Sequence, residues 1–593
     1  YNGDEIYRAA LEHKAARDPE RKGVIERGAI AVREAIRETT AKLSDYLRRG
    51  DDPLVDKGLQ RLTRTPDVAR TQYATASAIR ILSEREAAFG TAQVVKTALD
   101  LGVKGVTQDK VEKRIEQLVE AGHLVREKSQ RHDQAVDRVT TREAIEQERR
   151  ILKAMDTGIG EGRALMGADV AKDRLQELAG EKTLNPQQLA AAITIVSSQD
   201  RVVLVQGRAG AGKSTMLQPV AKADALDAAA RLLGAEGTNA MLLTSDLKGD
   251  AKALAFQNKM VADLKADTGL EAMTVHSFIA RNARFLSGEG SAEAFTARKS
   301  ELKGSYLILD EASMISNRQM DQLTAIANLM EVGRLAIIGD RKQLNPIDAG
   351  KAFSVMQAYG AKSEIQISEV NINMRQKTDD MRLVADLADA GQIRQAIDVL
   401  GDRVVQSKDR VEAAANAWLD LPSDKRDTTT LLPSGREGRA RANDIIQQGL
   451  KAEGALQGEG RNFNVRERAD VASEELRYAH FWRNATFLEV SHPNNPLGLS
   501  TGDYRIDRVY ANGKVGLADL KGRMTRIDPL SIKPGSDARG LSLANEKQIK
   551  VHEGERIRWT ANDKAEGRGM LNATIAKVEK VTPEGIVVRL NTG

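Results

Sequence analysis

From Asp4 to about Arg85 the apolar positions recur at spacings of three and four: Val24, Ile25, Ile30, Ala31, Ile36, Leu43 and Leu47. That period lines up one face of a helix, and the intervening Glu, Arg and Lys residues make a charged outer face. Breaks near Gly50 to Pro53 and at Pro66 divide this helical region, residues 1–82. Between Ser83 and Arg150 the pattern changes. A helix through Phe89 to Leu101 is followed by a Gly-containing turn and a second helix carrying Val111, Ile115, Leu118 and Val119. Gly122 stops it, His123-Leu124-Val125 reads as a short strand, and Thr140-Thr141 with Glu143 caps a further helix. Helix, turn, helix and strand in this order predict a winged-helix-like accessory domain over residues 83–180. It serves either as a DNA-contacting element or as a packing domain.

From Leu184 to about Ala358 the period switches again. Continuous apolar runs, Val202-Val203-Leu204-Val205, Met241-Leu242-Leu243, Tyr306-Leu307-Ile308-Leu309 and Leu335-Ala336-Ile337-Ile338, alternate with helical stretches. Runs without alternation belong to strands covered on both faces, which predicts a parallel α/β sheet over residues 181–362. A second α/β portion, residues 363–482, is expected after Glu364, with Thr428 to Leu432 as a strand and a long helix from about Arg436 to Ala452. Past Arg483 short runs are punctuated by turn signals, Asn512-Gly513 and Pro583-Glu584-Gly585, so residues 483–593 read as a small β-rich, barrel-like domain.

A chain of 593 residues is too long for one hydrophobic core, in keeping with this modular reading. Lys and Arg total 89 against 84 Asp and Glu, and the pI is near 9.0. That balance permits a polyanionic partner without requiring one. With no cysteine, disulfides, thiolate zinc sites and a cysteine nucleophile are excluded. No run approaches the length of a membrane span and the first residues carry no leader, which predicts a cytoplasmic protein. The chain opens on Tyr1 rather than Met, as expected of a piece of something larger.

The chemistry begins at Gly207-Arg208-Ala209-Gly210-Ala211-Gly212-Lys213-Ser214, directly after the strand Arg201 to Gln206 and opening a helix that continues at Thr215. This is the full spacing of a phosphate-binding loop. Its glycines let successive N–H groups face phosphates, the helix N-terminus adds positive potential, Lys213 reaches the β- and γ-phosphates of ATP, and Ser214 ligates Mg²⁺. About a hundred residues on, Leu307-Ile308-Leu309 runs into Asp310-Glu311. Asp310 is expected to hold Mg²⁺ through water while Glu311 orients and deprotonates the attacking water. A third strand leads to Gly339-Asp340-Arg341-Lys342-Gln343-Leu344, where the Gln343 amide can sense the γ-phosphate.

Taken together these motifs resemble the superfamily-one helicases of the RecD-like, 5′-to-3′ branch, whose motor is a pair of RecA-like P-loop lobes. By that resemblance Gln188, in Leu184-Asn185-Pro186-Gln187-Gln188, reads adenine, with Gln187 the alternative. Thr244-Ser245 and His276-Ser277, in Thr274-Val275-His276-Ser277-Phe278, take the places of DNA-contacting motifs. Arg375, in Asn373-Met374-Arg375-Gln376, takes that of the arginine that approaches the γ-phosphate from the second lobe. More narrowly the chain resembles the helicase part of TraI/TrwC-type (MobF) conjugative relaxases. The winged-helix-like segment, the stretch Thr428 to Leu450 and the SH3-like insertion around Gly554 to Thr560 carry this likeness. It implies an ATP-dependent translocase on single-stranded DNA, working with relaxosome and type IV secretion proteins. A RecD-like repair helicase and a non-hydrolysing DNA-binding or secretion-signal module are the alternatives.

Two departures matter. The family's nicking site uses tyrosine and three histidines, whereas His13, His123, His132, His276, His480, His492 and His552 lack ligand spacing, so nicking is not expected of these residues. The family's last two motifs do not occur before Gly593, so the second lobe is expected to be incomplete. If those motifs are truly missing, ATP should bind with little turnover. Comparing nucleotide affinity with DNA-stimulated hydrolysis tests this, and vigorous turnover would contradict it.

Overall fold

The structure is a computed structural model describing residues 52–56, 64–131, 134–232, 240–244, 271–343, 346, 349–363, 365–535, 538, 540–560, 574–583 and 585–590. The amphipathic stretch from Val24 to Leu47, His13, His132, Ser245, Leu344 and the last three residues lie outside them. Two compact units divide the chain, one of Tyr1–Leu82 and Phe89–Thr140, the other of Ser83–Ala88 and Thr141–Gly593.

In the first unit, α1 (Pro66–Arg85) leads to β1 (Ala88–Gly90), α2 (Thr91–Asp100), α3 (Gln108–Glu120), β2 (Leu124–Arg131) and β3 (Gln134–Thr141). The strands pair in the order β1-β3-β2. Val94 and Ala98 on α2, Val111, Ile115 and Leu118 on α3, and Leu124 on β2 are all buried, so the three-and-four spacing of the sequence is the core face. Beside them Arg114 donates to Asp56 at 2.9 Å and to the Leu54 carbonyl at 2.9 Å.

The second unit opens with α4 (Arg142–Thr157), α5 (Ala168–Ala179) and α6 (Pro186–Ser197). Then come β4 (Val202–Gly207), α7 (Lys213–Leu232), β5 (Ala240–Thr244), β6 (Glu271–Thr274), α8 (Val275–Leu286), α9 (Ala292–Leu302) and β7 (Tyr306–Asp310). α10 (Asn317–Leu329), β8 (Arg334–Gly339), α11 (Ala352–Gly360) and β9 (Ile367–Val370) complete a six-stranded parallel sheet ordered β6-β5-β7-β8-β4-β9. Every residue of β4, β7 and β8 is buried. Alternate residues go to opposite faces: Leu204, Leu307, Leu309, Leu335 and Ile337 join Phe278, Met320 and Phe353. Val203, Val205, Ile308, Ala336 and Ile338 join Ala191, Ile195, Met216 and Val220. The unbroken apolar runs are therefore two cores read in alternation, each fully buried side chain contributing about 1.5–3 kcal/mol. Because β4 connects to β5 across β8 and β7, a crevice is left at the carboxyl ends of the strands.

Past Glu364 the next strand does not open a separate sheet, and the strand expected at Thr428 to Leu432 is corrected. β9 joins the first sheet, pairing with β4 from Leu204–Ile367 to Gly207–Val370. The chain continues as α12 (Asp379–Asp389), α13 (Ile393–Leu400), α14 (Arg410–Leu419) and α15 (Gly435–Ala452), the last at the expected place. Thr428 to Leu432 is irregular rather than a strand. A strand needs a ladder partner, and here the Thr429 carbonyl accepts from the Trp418 indole at 3.0 Å while Leu432 stays 85% exposed.

Nine antiparallel strands follow: β10 (Gln457–Arg468), β11 (Phe487–Val490), β12 (Gly502–Val509), β13 (Val515–Asp519), β14 (Met524–Ile527), β15 (Leu541–Glu553), β16 (Arg556–Arg558), β17 (Ile575–Val581) and β18 (Ile586–Leu590). They form one sheet ordered β10-β15-β11-β12-β13-β14 and a smaller one ordered β16-β17-β18. Asn512-Gly513 turns β12 into β13, and the Pro583 to Gly585 segment joins β17 to β18, where the turn signals stand in the sequence. Since β10 begins at Gln457, the larger sheet draws on residues well ahead of Arg483. No helix among the described residues is long and apolar enough to cross a membrane.

Arg334, 0% exposed at the start of β8, donates to the carbonyls of Ile195 at 3.0 Å, Arg163 at 2.9 Å and Ser198. Arg334→Ala strands these acceptors and opens a cavity, and should destabilise the unit by about 3 kcal/mol. Urea unfolding should show the lower midpoint at an unchanged slope.

Candidate nucleotide site

The parallel registers set Thr274 beside Thr244, Thr244 beside Asp310, Gln206 beside Gly339 and Gly207 beside Val370. All six strands thus end at one edge of the sheet. From β4 the chain turns at Gly207 and reaches α7 at Lys213. A Cβ on Gly207 would stand 2.5 Å from the Lys213 Cδ, so the absent side chain is what lets the lysine stem fold back over the loop. Lys213 is 8% exposed, donates to the Gly207 carbonyl at 3.2 Å and lies 3.5 Å from the Glu311 carboxylate. Ala211 and Gly207 are buried, Gly212 and Thr215 partly so, and Ser214 is exposed on the first turn of α7.

Across the loop, Asp310 is buried at the tip of β7. Burial first, and the neighbouring Glu311 charge second, push its carboxyl up to about 6, against the pull of Lys213. Glu311 donates its N–H to Asp310 Oδ1 at 2.9 Å and stands at φ +53°, in the left-handed region. A non-glycine residue held there costs on the order of 1 kcal/mol, strain that concentrates at functional sites. Glu311 Oε2 and Ser313 Oγ are buried without a hydrogen-bond partner. A glycine-lined loop at a helix N-terminus, a buried lysine held by a carboxylate, an exposed serine hydroxyl and an orphaned carboxylate oxygen suit a magnesium nucleotide.

The third tip carries Asp340, whose Oδ2 accepts from Ala209 N at 3.0 Å and whose Oδ1 accepts from Gln206 Nε2 at 2.9 Å. Gln206 Oε1 in turn accepts from Gln357 Nε2 at 2.9 Å. Gln343 follows in the same turn, its N–H bonded to the Asp340 carbonyl at 3.0 Å. Sequence reasoning missed Asp340 and Gln206. The signal was an acid immediately after the strand-ending Gly339.

Gln188 caps α6: its Oε1 accepts from Asn185 N at 3.0 Å, and its Nε2 donates to the carbonyls of Ala211 at 2.9 Å and Gly212 at 3.2 Å. Both ends of this amide hold protein backbone here. Gln187 Oε1 accepts from Asn371 N at 2.8 Å and Ile372 N at 3.1 Å. The segment so anchored reaches the phosphate loop, Met374 N donating to the Gly210 carbonyl at 2.8 Å. A Cβ on Gly210 would come 2.8 Å from the Arg375 Cβ, so Arg375 lies directly against the loop, exposed.

Thr244 ends β5, and its side chain is not among the described ones. On α8, Thr274 Oγ1 caps the helix by accepting from Ser277 N at 3.2 Å, and Val275 and Phe278 are core. His276 is exposed and Ser277 partly buried.

A phosphate loop on a doubly covered parallel sheet, with an acid pair at the tip of β7, defines a P-loop domain. Residues 183–410 match the AAA domain family, a nucleotide-binding P-loop family. Over 452 residues, 68% of this chain and 23% of the relative, the chain is 22% identical to the multifunctional conjugation protein TraI of Escherichia coli. It is 26% identical to the conjugal transfer protein TraA of Agrobacterium fabrum over 52% of this chain and 24% of that protein. A probable conjugal transfer protein TraA of Sinorhizobium fredii is 28% identical over 44% of this chain and 21% of its own length. The chain therefore carries an AAA-type domain and resembles conjugal transfer relaxase-helicases, spanning about a quarter of the length of these relatives.

Lys213→Ala should lower any nucleotide hydrolysis by about 10²-fold or more, on the scale of losing one preorganised charge donor. Glu311→Gln, equal in shape, should leave nucleotide affinity intact and abolish turnover. Equilibrium binding alongside single-turnover hydrolysis separates the two effects.

Proposed function

We propose that this chain is the motor part of a conjugative relaxase, an ATP-dependent 5′-to-3′ translocase that tracks single-stranded DNA and unwinds plasmid DNA for transfer. The observation that carries the reading is the approach of Arg375 to Gly210, on the same loop that places Lys213 beside Glu311. An arginine arriving on a separate segment makes hydrolysis depend on how that segment sits, which is what a motor requires. In this proposal the part of residues 363–482 that follows β9 belongs to the second lobe. The whole acts in the cytoplasm with relaxosome and type IV secretion proteins.

Within the site, Lys213 leaves Glu311 for the β- and γ-phosphates, and the loop N–H groups from Gly210, Ala211, Gly212 and Thr215 cradle the rest. Ser214 and Asp310 would hold Mg²⁺, which would supply charge neutralisation for the phosphates. Glu311, freed of its lysine, takes the proton of the attacking water, while Gln343 senses the γ-phosphate. Arg375 stabilises the charge that builds up on the transferring group. Gln188 sets the loop beside the adenine. Thr244, His276 and Ser277, at the β5–β6 end of the edge, bear the DNA together with Ser245.

The winged-helix-like segment is an accessory that does not read DNA through α3. Its exposed positions Asp109, Glu112, Glu116 and Glu120 outnumber exposed Lys113, and would repel phosphates.

Affinity should favour single over double strands, with little sequence preference. It should fall with salt by roughly 0.7 log units per phosphate contact for each tenfold rise. Fluorescence anisotropy with tailed and blunt substrates, and strand displacement from 5′- against 3′-tailed duplexes, test affinity and polarity. Preferential displacement from 3′ tails would refute the direction.

A further inference from the structure

The carboxyl-terminal turn of α12 meets the nucleotide site at two points. Arg208, in the first turn of the phosphate loop, donates to Asp386 Oδ1 at 2.5 Å and to the Ala385 carbonyl at 2.7 Å, with Asp389 a further 3.9 Å contact. Lys342, beside Gln343, donates to Asp389 Oδ2 at 2.9 Å and to the Asp389 carbonyl at 3.2 Å. A helix carboxyl end carries partial negative charge, so two carboxylates and the carbonyls of Ala385 and Asp389 there make a doubly favourable seat for cations. Arg208 is the better buried of the two, its side chain 15% exposed against 52% for Lys342.

The chain linking these contacts is the one that carries Arg375. It leaves β9 at Val370, whose carbonyl accepts from Arg208 N at 2.9 Å, passes Gly210 at Met374, and enters α12 at Asp379. One helix end is thereby tied to the phosphate loop through Arg208, to the Gln343 turn through Lys342, and by continuity to Arg375.

We infer that Asp386 and Asp389 are positioning residues, which place Gln343 and Arg375 for the γ-phosphate by holding Lys342 and Arg208. This rests on the nucleotide-binding reading above. The diphosphate part of the site has other anchors, since Ala209 N is held by Asp340 and Arg208 N by Val370. Loss of the carboxylates should therefore weaken grip on the third phosphate and spare the first two.

The test is the ratio of dissociation constants for ADP and for a non-hydrolysable ATP analogue, both with Mg²⁺, in the full chain. It needs no turnover. Asp386→Asn combined with Asp389→Asn should weaken the triphosphate at least about fivefold and change ADP affinity less than about twofold. Reversing one pair, Lys342→Asp with Asp389→Lys, should restore discrimination toward wild type where Asp389→Lys alone does not. Equal weakening of both nucleotides would mark the carboxylates as merely structural, and no change in either would leave them without a role; each overturns the inference while the nucleotide site stands. A wild-type chain that binds neither nucleotide would overturn the site itself, and this inference with it.

Discussion

The parallel ladder of β7, β8 and β4 is the constraint on which the site depends. Strands buried on both faces cannot slide by one residue without driving every side chain to the opposite core, so Leu309 stays beside Ile337 and Gln206 beside Gly339. That rigidity makes Asp310, Gly339 and Gly207 neighbours. It turns motifs separated by more than a hundred positions into one crevice lip, held by side chains far from any phosphate, such as Phe278 on one face and Met216 on the other.

Charge organises what the ladder brings together. Lys213 is buried where a lone ammonium would be costly, and Glu311 compensates it at 3.5 Å. Asp310 has no cation of its own in hydrogen-bond range, and its raised pKa expresses the cost of burying a carboxylate next to Glu311. In the proposed reading a divalent cation beside the pair would offset that cost. Asp340 plays a different part: its carboxylate takes N–H groups from Ala209 and Lys342 and the amide of Gln206. It stiffens the loop from behind, leaving the later N–H groups of the loop for an anion.

Around this rigid edge, the segment from Asn371 to Asp389 is attached by polar contacts rather than apolar burial. None of the α12 residues is buried, and the ties are Gln187, Gly210, Arg208 and Lys342. Polar ties to an exposed helix are individually weak and exchange readily with water, so such a segment can shift without disrupting either core. A stiff sheet edge beside a loosely held helix is a physical basis for turning a chemical event into movement.

Local patterning determined a good deal. The unbroken runs at 202–205, 306–309 and 335–338 required strands covered twice, the loop from Gly207 to Ser214 required a strand-to-helix turn, and Asn512-Gly513 required a hairpin, because each depends on neighbours within a few residues. The same reasoning misjudged Thr428 to Leu432, whose β-branched and apolar residues fit a strand but meet no ladder partner here. It also ended the first α/β domain at residue 362, short of β9, since strand partnership is a long-range matter. Only tertiary structure decided that Gln188 would spend its amide on Ala211 and Gly212, that Asp340 would reach Ala209, and that Arg208 would point to α12. A polar side chain advertises its chemistry in the sequence, but its partner is whichever group the packed strands and helices bring within about 3 Å.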